Sequence, residues 1–116
     1  MPVIQVTAPK ASDDTIGDTT DDSTDAARLK RLCGDVAAAL GLPPSGVVAV
    51  LSAAAVTSTG DGIVPAWPLA VVHGSDRGRD ATRRALDAAR AALAEGWGVP
   101  REEVWVEWAG SRATGD

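Results

Sequence analysis

Four short apolar runs and two longer stretches with apolar residues every three to four positions make up the hydrophobic pattern of this chain. The first run, residues 2–8, is rich in β-branched residues and closed by Pro9, which predicts a strand. In the first long stretch, Leu29, Leu32, Cys33, Val36 and Leu40 share one helical face. Thr24 or Asp25 is placed to cap this helix, and Gly41 and Pro43 to stop it. Residues 46–56 are almost continuously apolar, which predicts a strand covered on both faces. A glycine-containing connection from Thr57 to Ala66 leads to a third strand over 68–73. Ser75 to Asp80 then turns the chain into a second helix. Leu86, Ala89, Leu93 and Trp97 face inward there, Arg83, Arg84, Asp87 and Arg90 outward, and Gly96, Gly98 and Pro100 end it. The last strand, 104–108, alternates large apolar residues with Glu107, and the tail from Ser111 reads as frayed.

The pattern repeats. Gly41-Leu42-Pro43-Pro44-Ser45-Gly46-Val47-Val48 aligns with Gly98-Val99-Pro100-Arg101-Glu102-Glu103-Val104-Trp105 at a constant offset of 57. Each half is strand–helix–strand, and Pro2 and Pro68 open the first strand of their halves. A right-handed crossover makes the two strands of a unit parallel. Two units related by a pseudo-twofold give an α/β (α+β) fold, a four-stranded mixed sheet with both helices on one face. The chain is then a single domain, 1–116, with a first unit at 2–58 and a second at 67–109. Residues such as Val48 and Trp105 on the opposite face are too apolar to be left in water, so self-association is expected to cover it.

Composition narrows the class. At 116 residues, with 45% hydrophobic residues but no Phe or Tyr, the core must be filled by Ala, Val, Leu and four Trp. The net charge of −5 is concentrated in residues 13–25, which hold six acids and no base, so the remainder is close to +1. That balance argues against a broad nucleic-acid face. The acidic stretch reads as a solvated loop, because it lacks the residue order of a calcium-binding loop. The sequence is expected to carry no leader, and it holds no apolar run of membrane-spanning length. The single Cys33 cannot close an internal disulfide. These features predict a soluble cytoplasmic protein with no membrane partner. Cys33 falls on the apolar helical stripe, which suits a buried small hydrophobe better than a nucleophile. His73 is the only histidine and has no ligand spacing around it, so no metal site is expected.

One terminus carries candidate chemistry. Removal of Met1 would leave Pro2 as a secondary amine on a rigid ring, able to carry a proton or attack a carbonyl if its pKa is lowered. The bland alternative is a proline easing the chain into a strand. The duplicated unit opening at Pro2 resembles the tautomerase superfamily, and in particular its two-unit members. These are macrophage migration inhibitory factor, malonate semialdehyde decarboxylase and cis-3-chloroacrylic acid dehalogenase-like proteins. Pro9-Lys10-Ala11-Ser12 and Gly41-Leu42-Pro43-Pro44 are similar to the first of these. Val72-His73-Gly74 with Arg77-Gly78-Arg79, and Gly98 to Val106, are similar to the dehalogenase group.

The resemblance implies a cofactor-independent homotrimer with active sites at subunit boundaries and Pro2 as the catalytic amine. Arg77 and Arg79, just before a helix, suit a small carboxylate and would disfavour a protonated amine nearby. Glu107, expected on the face of Trp105, could assist or activate water. Lys10, His73 and Trp105 are further candidate substrate contacts, with His73 also readable as a structural hydrogen-bonder at the rim. The expected activity is keto–enol tautomerisation of a small 2-oxo or unsaturated carboxylate, extending to hydration or decarboxylation. The alternative is a catalytically silent homologue acting as a structural or binding module. Departures from the family are plain: the first helix has no His, and the chain has no Tyr.

Overall fold

The computed structural model describes residues 1–11 and 24–110. The tail from Ser111 and all of the acidic stretch before Thr24 therefore lie outside the described residues. The elements follow in the order β1 (Val3–Ala8), α1 (Thr24–Leu40), β2 (Val48–Ala53), β3 (Ser58–Thr59), β4 (Gly62–Ile63), β5 (Leu69–Gly74), α2 (Arg79–Trp97) and β6 (Trp105–Gly110). The main sheet has the order β2-β1-β5-β6, with β1 parallel to β2, β5 parallel to β6, and β1 antiparallel to β5. This is the duplicated unit expected from the repeat.

The two halves agree down to their caps. Gly41 and Gly98 each follow a helix in the left-handed conformation, with φ of 72° and 67°. Pro43 and Pro100 have the same φ of −68° and ψ of 154°, each introducing one turn of 3₁₀-helix. The carbonyls of Pro2 and Pro68 accept from Val48 N–H and Trp105 N–H, at 3.1 and 3.0 Å, joining each first strand to its parallel partner.

Side-chain parity explains the layers. Ile4, Val6 and Ala8 of β1, Ala70 and Val72 of β5, and Val106 of β6 are buried on one sheet face. Leu32 and Val36 of α1 and Ala85, Ala89 and Leu93 of α2 cover them. With no Phe or Tyr available, small alanines on α2 let the helix approach the sheet closely. Near the helix ends, Arg28 packs over the Trp97 ring at 4.5 Å, donates to Gly96 O at 2.7 Å and pairs with Asp25 at 3.0 Å. Trp97 Nε1 donates to Pro9 O at 2.7 Å, and Asp25 accepts from Ala11 N–H. The segment leaving β1 is thereby fastened to the C-terminal turn of α2.

The opposite face carries Val3, Gln5 and Thr7 of β1, Leu69, Val71 and His73 of β5, Val48 and Val50 of β2, and Trp105 and Glu107 of β6. Val50 is 51% and Trp105 60% exposed there.

Three expectations are corrected. Residues 46–56 were expected to be covered on both faces. The strand is the shorter Val48–Ala53, and Val48 and Val50 are exposed, because β2 is an edge strand and its outer face has no second layer in this chain. The connection Thr57 to Ala66 contains a small hairpin, β3–β4, turning at Gly60-Asp61. Finally, α2 runs through Gly96 and ends at Trp97, with Gly98 as its left-handed cap. Arg28 packs against Gly96, where an added Cβ would sit 3.4 Å from Arg28 Cγ, so a glycine fits there without ending the helix.

Candidate active site

The Pro2 ring lies on the helix-facing side of the sheet and is less than 2% exposed, whereas Met1, bonded to its nitrogen, is 76% exposed. The proline is thus buried, and the chain reaches solvent one residue before it. Continuing the antiparallel register, in which Val3 pairs with His73, puts Pro2 opposite Gly74. A Cβ built on Gly74 would stand 3.1 Å from Trp108 Cζ2, 3.5 Å from Trp108 Cη2 and 3.7 Å from Pro2 Cβ. Gly74 does not have positive φ, so its backbone does not demand glycine. The space beside it does, because the Trp108 ring edge and the Pro2 ring share it.

The chain leaving β5 at Gly74 enters the loop that carries the arginines. Asp76 accepts from Gly78 N–H at 2.9 Å, and Gly78 takes a φ of 91°, a conformation that favours glycine. Arg77, between them, is half-buried, and its Nε is buried with no hydrogen-bond partner among the described residues. Arg79 opens α2 and lines a surface groove of about 490 Å³, together with Thr82, Arg83, Leu86 and Arg90. The Nε of Arg90 is likewise buried without a partner among the described residues. The two arginines therefore take different surroundings, and only Arg79 borders the groove.

The remaining candidates are spread along the sheet. Glu107 shares the outer face with Trp105, as its parity predicts, and accepts from Trp105 Nε1 at 3.2 Å. His73 Nε2 is 2.6 Å from Gln5 Oε1, the rim hydrogen bond that the sequence offers as its structural reading. Trp105 pairs with Leu69, at the end of the sheet away from Pro2, and Lys10 lies beyond the end of β1. Six strand residues at about 3.3 Å each put roughly 20 Å between the two ends. Within one chain, Pro2, Arg77 and Arg79 thus gather at one end of the sheet. Lys10 and Trp105 are at the other, and Glu107 is midway on the outer face. Sequence reasoning did not single out Gly74 and Trp108. The parity of Trp108 with Val106 was the available signal, since it places the indole on the helix-facing side.

Elsewhere, burial pushes the Cys33 thiol up, which keeps it protonated and a poor nucleophile. Among the described residues, no group of three or more His, Cys, Asp or Glu side chains is arranged to hold a metal ion, and no helix is long and apolar enough to cross a membrane.

Solved structures of tautomerase-fold proteins share this duplicated β-α-β sheet. The crystal structure of Pt0534 inactivated by 2-oxo-3-pentynoate matches at a TM-score of 0.76, with 16% identity over 93% of this chain and 84% of that one. The R7 fused 4-OT asymmetric trimer matches at 0.78, with 16% identity over 97% and 92%. A macrophage migration inhibitory factor-like protein from Entamoeba histolytica matches at 0.71, with 13% identity over 94% and 87%. No family model and no curated protein matches the chain. The protein thus has the tautomerase fold, in its two-unit form.

Proposed function

We propose that this chain, once Met1 is removed, is a proline-based tautomerase acting on a small 2-oxo or unsaturated carboxylate as a homotrimer. The observation that carries this reading is the placement of Pro2. Its ring is buried at the start of β1, directly after the exposed Met1, and the loop bearing Arg77 and Arg79 follows directly from the residue opposite it. Arg77 and Arg79 bind the substrate carboxylate, and their charge favours the neutral amine.

Pro2 then removes a proton from the carbon beside the oxo group. The C–H electron pair becomes the C=C bond, and the oxo oxygen becomes an enolate that takes up a proton. Ketonisation runs the same steps in reverse. Glu107 assists this transfer or activates water, and His73, Lys10 and Trp105 provide further substrate contacts. Since one chain holds Glu107, Lys10 and Trp105 apart from Pro2, those contacts require a neighbouring copy, consistent with the apolar outer face and with the trimeric assembly of fused 4-OT.

The test is intact mass of natively expressed protein before and after exposure to 2-oxo-3-pentynoate, with peptide mapping. The expected result is loss of Met1 and a single adduct on Pro2, both adduct and turnover falling at least about 100-fold in Pro2→Ala, as removal of a general acid–base group requires. Retained Met1 and an unmodified Pro2 would overturn this reading and favour a catalytically silent binding module.

A further inference from the structure

We infer that Trp108 is a positioning residue for the Pro2 amine, and that Gly74 is small in order to let it act. The inference rests on the proline chemistry proposed above and goes beyond it by assigning how the ring is held.

Position 74 is the observation. Its glycine is not explained by backbone conformation, since φ is not positive; it is the last residue of β5, still paired with Gly110 of β6. The place a side chain would occupy is filled from one side by the benzo edge of Trp108 and from the other by the Pro2 ring. Trp108 comes from β6 and Pro2 from the start of β1, on either side of β5, so the indole reaches across the strand between them. The Trp108 edge thus occupies the space over β5 next to the Pro2 ring, which limits how that ring can shift. Unlike Trp97 and Trp105, whose indole N–H groups are spent on Pro9 and Glu107, Trp108 has no hydrogen bond to any described residue. Its contribution is therefore the ring itself.

The charged groups on the surrounding elements are Asp76 and Arg77 of the loop and Arg79 and Asp80 at the start of α2. His73 and Glu107 stand on the opposite sheet face. None of them needs to change for Trp108 to act.

The two residues should be coupled. An alanine at 74 brings its Cβ to 3.1 Å from the Trp108 ring, forcing the indole to yield by a few tenths of an ångström, while Pro2 Cβ at 3.7 Å stays in ordinary contact. A phenylalanine at 108 is shorter, leaving a gap beside Pro2 and also making room for that Cβ. The experiment measures the rate of Pro2 modification by 2-oxo-3-pentynoate across a pH series in four proteins: wild type, Gly74→Ala, Trp108→Phe and the double variant. Circular dichroism and melting temperature serve as controls for folding.

Each single variant is expected to slow modification about 10- to 100-fold, the usual consequence of displacing a reacting group by a fraction of an ångström to one ångström. The double variant is expected to recover most of the wild-type rate, a non-additivity that independent structural damage does not produce. Unchanged rates and pH profiles in both single variants, or a double variant whose losses simply add, would overturn the inference. A wild-type protein with no Pro2 adduct would instead overturn the proline chemistry on which it rests.

Discussion

Arg28 shows how much one side chain can fasten. Its guanidinium meets an indole face, a helix-terminal carbonyl and a carboxylate at once, and is only 21% exposed. Arg28→Ala is expected to cost about 1–3 kcal/mol, from one cation–π contact and two partly buried charge-assisted bonds, read as a lower denaturation midpoint. Arg28→Lys should recover little, since an ammonium cannot bond and stack in one plane. Arg31 and Glu95 interact differently, because both lie on the exposed surface. Hydrogen bonding to Arg31 lowers the Glu95 carboxyl below the usual range. A lowered acid pKa stabilises the fold above the ordinary Glu value and ceases to do so as pH falls through the lowered one. Arg31→Ala should therefore change the melting temperature at pH 7 and leave it unchanged near pH 2. An equal effect at both values would remove the Glu95 pairing as its cause.

At the level of elements, the repeated segment was the most legible part of the sequence. Gly41 and Gly98 stand 57 positions apart and both hold left-handed helix caps, and Pro43 and Pro100 share one conformation. Local chemistry alone fixes such turns, so their positions can be read from residue type. A Cβ at Gly98 would meet nothing within 4 Å, so Gly98→Ala isolates the backbone cost, expected at about 1 kcal/mol in an equilibrium unfolding experiment. What was not legible had non-local causes. The helix continues through Gly96 because Arg28, 68 residues away, occupies the space beside it. The β3–β4 hairpin consists of two-residue strands, too short to leave a periodic signal. In the candidate site, Pro2 and the Arg77-Gly78-Arg79 loop could be picked out because their residue types suggest chemistry. Trp108 looked like one more core aromatic until β5 set it beside Pro2.

For the whole molecule, the outer sheet face is decisive. Val48, Val50, Leu69 and Trp105 are all at least 40% exposed on it, an apolar surface that a lone chain would present to water. Val50→Lys places a charge on the edge strand of this face without touching the core. If the chain assembles as the proposed trimer, the expected effect is a shift from trimer to monomer in sedimentation equilibrium, with the helical circular dichroism signal retained. A trimer that survives this change would move the assembly surface elsewhere. Loss of turnover along with the trimer would follow if Glu107, Lys10 and Trp105 act from a neighbouring copy.

The internal symmetry supplies a second buried proline in the position that matches Pro2. Pro68 is as buried as Pro2 and makes the matching bond to its parallel neighbour, yet its nitrogen is locked in the peptide bond from Trp67. Strands β1 and β6 bring Pro2 and Gly110 to the same end of the sheet, flanking Gly74. Two inter-strand spacings, about 10 Å, separate them, a gap that a few linking residues close. A circular permutant with these ends joined and the chain opened before Pro68 would keep every strand in place while exchanging the two prolines' roles. The free amine would move to the far end of the sheet, beside Lys10 rather than Arg77. Under the proposed chemistry, the reactive end of this fold would follow whichever of the two prolines carries the free amine.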